Sequence, residues 1–167
     1  MTPNHHMTIP GRSRGSSLME VLVTVVVLSI GLLGLAGLQL TGLRANGAAE
    51  ARSVATLLAY DMTDRMRANN DGVISGAYNA VDGSETDPGC ISTGCTAAQL
   101  AVYDAWQWNQ KLSTTPTLPS GTGRVTGNGA TFTVTVMWDE SRTGATGTGC
   151  GTNQNVDRKC LAIQVQP

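Results

Sequence analysis

The sequence predicts an α+β protein, one long N-terminal α-helix packed on a small head that carries an antiparallel sheet. Three observations carry that expectation. Residues 21–43 hold no charged side chain in 23 consecutive positions. Beyond them, apolar residues recur three or four apart as far as Asn69. In the last third of the chain, apolar residues alternate with polar ones.

A chain of 167 residues suits one domain, or one domain with an appendage. Its 11 basic and 12 acidic side chains leave a net charge of −1 with no basic cluster, which argues against a nucleic-acid binder. One Phe, three Trp and three Tyr also argue against a large aromatic core.

The helix begins with the uncharged run. At about 1.5 Å per residue it makes about 35 Å of helix, enough for a bilayer core of about 30 Å. Thr24, Ser29, Gln39 and Thr41 are its only polar side chains, whereas a buried core helix is usually shorter and keeps a polar face. Arg12 and Arg14 precede the run with no acid before Glu20. That asymmetry keeps the N-terminal end in the cytoplasm and exports the rest. A secretory signal peptide would have an apolar stretch of about 7–15 residues before a small-residue cleavage site. Here the stretch is longer, and Leu35-Ala36-Gly37 lies well before its end. A plain signal anchor satisfies the same hydropathy.

Glu20 separates these readings. A carboxylate just inside an apolar segment opened by Leu18 and Met19 is costly without a partner, and marks function by default. Hydrated at headgroup depth, it would be idle. Its context is Gly15-Ser16-Ser17-Leu18-Met19-Glu20-Val21-Leu22-Val23, which resembles the class III signal of type IV pilins and pseudopilins. Those signals typically read Gly-Phe-Thr-Leu-Ile-Glu before an apolar run. Leu28-Ser29-Ile30-Gly31-Leu32-Leu33-Gly34-Leu35-Ala36-Gly37-Leu38-Gln39 is similar to the stalk of the minor-pilin family called type IV pilus modification protein PilV. So is Leu58-Ala59-Tyr60-Asp61-Met62-Thr63-Asp64-Arg65-Met66-Arg67-Ala68-Asn69. Cys95-Thr96-Ala97-Ala98-Gln99-Leu100-Ala101, with Tyr103-Asp104 and Trp108-Asn109-Gln110, looks like that family's head. The resemblance is strong over about the first 70 residues and weaker beyond.

The resemblance implies a pilin-like fold and a division of the chain. Residues 1–15 would be a class III leader, removed after Gly15 by prepilin peptidase. Ser16 would become the N-methylated N-terminus, residues 16–43 the transmembrane and assembly helix, and 44–70 the amphipathic half of the stalk. Residues 71–167 would form a periplasmic head. Glu20 would serve assembly by pairing with the N-terminal amine of a neighbouring subunit, a register set by opposite charges in a low-dielectric bundle. The family usually places Phe or Met after the cleavage glycine, where this chain has Ser16 and then Ser17, while the spacing from glycine to glutamate is kept.

The partners implied are prepilin peptidase, other minor and major pilins, and the inner membrane before assembly, with no nucleic acid. The subunit would sit in the inner membrane and then in the pilus at the cell surface, priming or joining it and affecting biogenesis, twitching motility and adhesion. A minor pseudopilin of a type II secretion system and a single-span anchored periplasmic binding domain are the alternatives.

Gly31, Gly34 and Gly37 weaken the helix by about 1 kcal/mol each relative to Ala. Their spacing is not the GxxxG pairing pattern. They form a candidate segment for the unwinding known in pilin stalks, or simply a close-packing surface. Farther on, Ala51, Val54, Leu58, Met62 and Met66 make a core-facing stripe, and Asp61 to Arg65 is a favourable i, i+4 charge pair. Asn69-Asn70-Asp71-Gly72 is a stop signal.

Residues 71–95 read as loop. Asp82, Glu85 and Asp87 lack the closing bidentate Glu of an EF-hand, so a solvated loop is expected rather than a calcium site. Thr96 and Gln99 form a capping box that opens a helix over residues 97–112, whose Trp106 and Trp108 anchor the core or an interface. Residues 124–126 and Gly127-Asn128-Gly129 signal a hairpin. Phe132, Val134, Val136 and Trp138 give the next strand one apolar face, and Leu161, Ile163 and Val165 do the same near the end. About three antiparallel strands are expected.

Cys90, Cys95, Cys150 and Cys160 all lie on the exported side, where disulfides form. Three pairings are open, and proximity favours Cys90–Cys95 with Cys150–Cys160. Their spacings suit neither zinc nor a redox pair, so no metal and no cofactor is expected. His5 and His6 fall in the expected leader and are the only histidines, so no catalytic site is expected either.

Overall fold

The computed structural model describes residues 17–153 and 156–167. The chain divides into two compact units, Met1–Leu43 and Arg44–Pro167. Helix α1 (Leu18–Ala68) contributes to both.

In the first unit α1 is the only described element, and none of its residues is buried. Its apolar side chains lie open, from Val26 at 49% exposure to Leu18 at 86%. The polar side chains of this stretch are largely satisfied within the helix. Thr24 Oγ1 donates to the Val21 carbonyl (2.8 Å), Ser29 Oγ to Val25 (2.7 Å) and Thr41 Oγ1 to Gly37 (3.0 Å). Such back-bonds remove the hydroxyls as a cost in an apolar medium.

In the second unit the rest of α1 buries Ala51, Leu58, Met62 and Met66, with Val54 half-buried beside them. Ala55 and Ala59 widen the stripe. The expected stop falls at Ala68, and the chain restarts at once. The Asn69 side-chain oxygen accepts the Gly72 N–H (3.3 Å) and caps the short helix α2 (Asn70–Ile74). After the one-turn α3 (Cys90–Thr93), the capping box at Thr96 and Gln99 opens α4 (Ala97–Thr114), as the sequence predicts.

Four strands form one antiparallel sheet in the order β1-β2-β3-β4. They are β1 (Ala80–Val81), β2 (Thr122–Gly127), β3 (Phe132–Trp138) and β4 (Lys159–Val165). The extra strand beyond the three expected is β1, two residues inside the presumed loop, paired through Val81 with Val125. The register then sets Val125 against Val134 and Val134 against Ile163, a file of apolar side chains across the sheet. Phe132, Val134, Val136 and Trp138 are buried and join the core formed with α1 and α4. Gly123 has a steric reason: a Cβ there would collide with the Trp108 ring. Helix and sheet thus meet more closely at β2 than any side chain would permit.

Candidate functional site

Gly15 and Ser16 lie outside the described residues, so the cleavage position has no geometry here. Glu20 is placed. It stands in the first turn of α1, exposed, and its N–H donates to the Ser17 carbonyl (2.8 Å). A carboxylate in the first turn is favoured by the positive end of the helix dipole. Immediately after it comes the open apolar surface, so one acid heads a helix long and apolar enough to cross a membrane.

The head holds its own polar cluster, where α1, α4 and the segment after α2 meet. Arg65 Nη1 lies 3.3 Å from Asp104 Oδ1 and donates to Gln107 Oε1 (2.6 Å). The buried Tyr78 hydroxyl donates to Asp104 Oδ2 (2.6 Å) and accepts from Asn69 Nδ2 (3.1 Å), which also donates to the Ala97 carbonyl (2.8 Å). Desolvation, reinforced by the bond to Asp104, pushes the Tyr78 phenol well above its ordinary value. The expected Asp61–Arg65 pair is present at 3.6 Å, and Lys111 also reaches Asp61 at 3.3 Å. Arg65, Tyr78 and Asp104 are far apart in sequence, and no local pattern announces the cluster. The one hint is Asp104, an acid on the core-facing side of an amphipathic helix. It reads as structural, because both of its carboxylate oxygens are bonded, one to Arg65 and one to Tyr78.

Trp108 is fully buried and its Nε1 donates to the Leu58 carbonyl (2.8 Å), stitching α4 to α1. Trp106 is half-buried beside Tyr103, with ring centroids 5.6 Å apart.

Both cysteine pairs are disulfides, Cys90 to Cys95 and Cys150 to Cys160. The acids of residues 82–87 spend their oxygens on local backbone. Glu85 accepts from the Asp82 and Gly83 N–H groups (3.0 Å each) and Asp87 from Gly89 (2.8 Å). The Ser84 hydroxyl and N–H hold Asp82 below the usual carboxylate range. Among the described residues no group of His, Cys, Asp and Glu is placed to hold a metal ion.

A long helix with an acid at the head of an unburied apolar stretch, joined to a sheet-bearing head, has the α+β layout of the pilin class. The sequence comparisons agree with it. Residues 37–106 match the Tt1218-like family, described as type IV pilin Tt1218. Residues 10–36 match the prokaryotic N-terminal methylation motif, which includes Gly15, Ser16 and Glu20. Residues 37–106 are thus similar to a type IV pilin, and residues 10–36 carry a prepilin-type methylation motif. No curated protein and no solved structure matches it. The motif implies processing by prepilin peptidase and assembly with other pilins, and the family is structural rather than enzymatic.

Proposed function

We propose that this chain is a minor pilin of the PilV type. Prepilin peptidase cuts it after Gly15 and methylates the Ser16 amine. The subunit waits in the inner membrane with its head in the periplasm, then joins or primes a type IV pilus and so affects twitching and adhesion. The observation that carries this reading is the first unit itself: a helix with no buried residue, apolar on every side and headed by Glu20. That surface demands lipid or other apolar helices, and the acid demands a cation once both leave the headgroups. A methylated amine from a neighbouring subunit supplies the cation.

Mass spectrometry of the native protein tests the processing. A mature chain starting at methylated Ser16 is expected, and a chain keeping Met1 would instead be a single-span anchored domain. Recovery of the chain in sheared pili tests its destination. Its absence from pili, together with a defect in protein secretion on deletion, would make it a pseudopilin.

A further inference from the structure

The dipeptide Asn-Gly occurs twice in the chain, at Asn46-Gly47 and at Asn128-Gly129, each time followed by Ala. Both asparagines are exposed, so water reaches either side chain. Local sequence and solvent access are therefore matched, and only the backbone differs. Asn46 and Gly47 lie inside α1, where each N–H is committed to the carbonyl four residues earlier. Asn128 and Gly129 lie in the loop of residues 128–131 that joins β2 to β3.

In that loop Asn128 Oδ1 accepts the Ala130 N–H (3.2 Å) and the Thr131 N–H (3.1 Å). The side-chain carbonyl is thus folded over the backbone that follows it. Between those donors, the Gly129 N–H has no hydrogen-bond partner among the described residues. Gly129 sits at φ +89°, and a Cβ there would meet nothing within 4 Å, so the loop can turn at this residue. A backbone nitrogen next to an asparagine can attack the side-chain carbonyl carbon and close a cyclic imide. Glycine permits the approach that a β-carbon would hinder. At Asn46 the same closure first requires a turn of helix to open.

We propose that Asn128 is a self-modifying site, converted without an enzyme to aspartate and isoaspartate through a succinimide. Hydroxide takes the Gly129 N–H proton, and the nitrogen's electron pair attacks Asn128 Cγ. The carbonyl pair moves onto Oδ1, where the Ala130 and Thr131 N–H groups already donate and stabilise the charge. Its return expels the side-chain nitrogen, which takes a proton from water, leaves as ammonia and restores the hydroxide. Water then opens the imide at either carbonyl. Cleavage between Gly129 nitrogen and Cγ leaves aspartate with its ordinary peptide bond. Cleavage at the main-chain carbonyl leaves isoaspartate, whose chain runs through the side-chain carbon. Either product adds a negative charge to a net of −1, and isoaspartate lengthens the loop by one carbon. The change falls beside Gly127, which lies so close to the buried Phe132 ring that a Cβ would collide with it.

The test incubates the full chain in neutral detergent micelles, at neutral and mildly alkaline pH, in water enriched in heavy oxygen. Tryptophan fluorescence confirms that the head stays folded. Trypsin then releases residues 45–52 and 125–142, each holding one Asn-Gly pair and no other asparagine. Mass spectrometry should find in residues 125–142 two acidic products of equal mass, each with one heavy oxygen, separable by chromatography. An isoaspartate methyltransferase should label only one of them. Their formation should rise in proportion to hydroxide. The same two peptides, released first and then incubated, should react at similar rates. In the folded chain Asn128 should keep most of that rate, while Asn46 should fall by about tenfold or more. Asn128→Gln should abolish both products and leave residues 45–52 as before. Equal rates at the two sites of the folded chain, or protection of Asn128 as strong as that of Asn46, overturn the proposal. So do aspartate without isoaspartate, a rate indifferent to hydroxide, or acidic products that persist in Asn128→Gln.

Discussion

Tyr78 and Asp139 show how single residues tie the head's stability to pH, in opposite directions. The Tyr78 phenol is raised, so its contribution is complete below the unfolded value of about 10 and is lost as pH climbs through the folded value. Tyr78→Phe should cost about 1–3 kcal/mol at neutral pH and should flatten the alkaline decline, read as urea midpoints from neutral to alkaline pH. Asp139 is buried, which alone would raise its carboxyl, but bonds from the Gly144 N–H (2.7 Å), the Ala145 N–H (3.2 Å) and Thr143 win and hold it low. Its contribution is therefore present above the unfolded value of about 3.9 and is lost as pH falls through the folded one. Asp139→Asn should weaken the head at neutral pH and reduce its acid sensitivity, and an unchanged acid limb would refute that assignment. Glu20 belongs to assembly rather than stability: Glu20→Ala should leave cleavage nearly intact and sharply reduce the subunit's share in purified pili. Normal incorporation of that variant would remove the charge-pairing role.

Among the elements, the first half of α1 and the 150–160 loop invite direct tests. Among the described residues, a Cβ at Gly31, Gly34 or Gly37 would meet nothing within 4 Å, so no contact there requires these glycines. Alanine at each should stiffen the helix by about 1 kcal/mol. Amide hydrogen exchange across residues 28–40 should slow while the head's urea midpoint stays fixed. Any effect on pili then comes from the helix's behaviour among its neighbours. The loop from Cys150 to Cys160 is braced twice. Its disulfide closes onto β4, and Asp157 accepts the Gly149 (3.1 Å) and Asn153 (2.8 Å) N–H groups. Replacing both cysteines by Ser should cost about 2–4 kcal/mol. The same change at Cys90 and Cys95, which closes a shorter loop, should cost less, and equal denaturation midpoints for the two variants would contradict this ordering.

Across the whole molecule, what could be read from the sequence is what is local. The uncharged run, the stripe from Ala51 to Met66, the Thr96–Gln99 box and the alternation of β3 each carry their period or spacing in adjacent residues, and each is present. What escaped depends on distant partners. Strand β1 exists only because Val125 offers a free edge to Val81, and two residues are too few to show alternation. The Arg65–Asp104–Tyr78 cluster joins three separate segments. The cysteine pairs have a mechanical consequence. Both are local staples, and neither bonds to α1. A tensile load entering the head through α1 therefore meets no disulfide, and its resistance comes from the buried stripe, the Trp108–Leu58 bond and the ties of Arg65 and Asp61 to α4. Under a sustained pull the helix should strip away from its sheet with both cystines still closed, a rupture that reducing agents would not hasten.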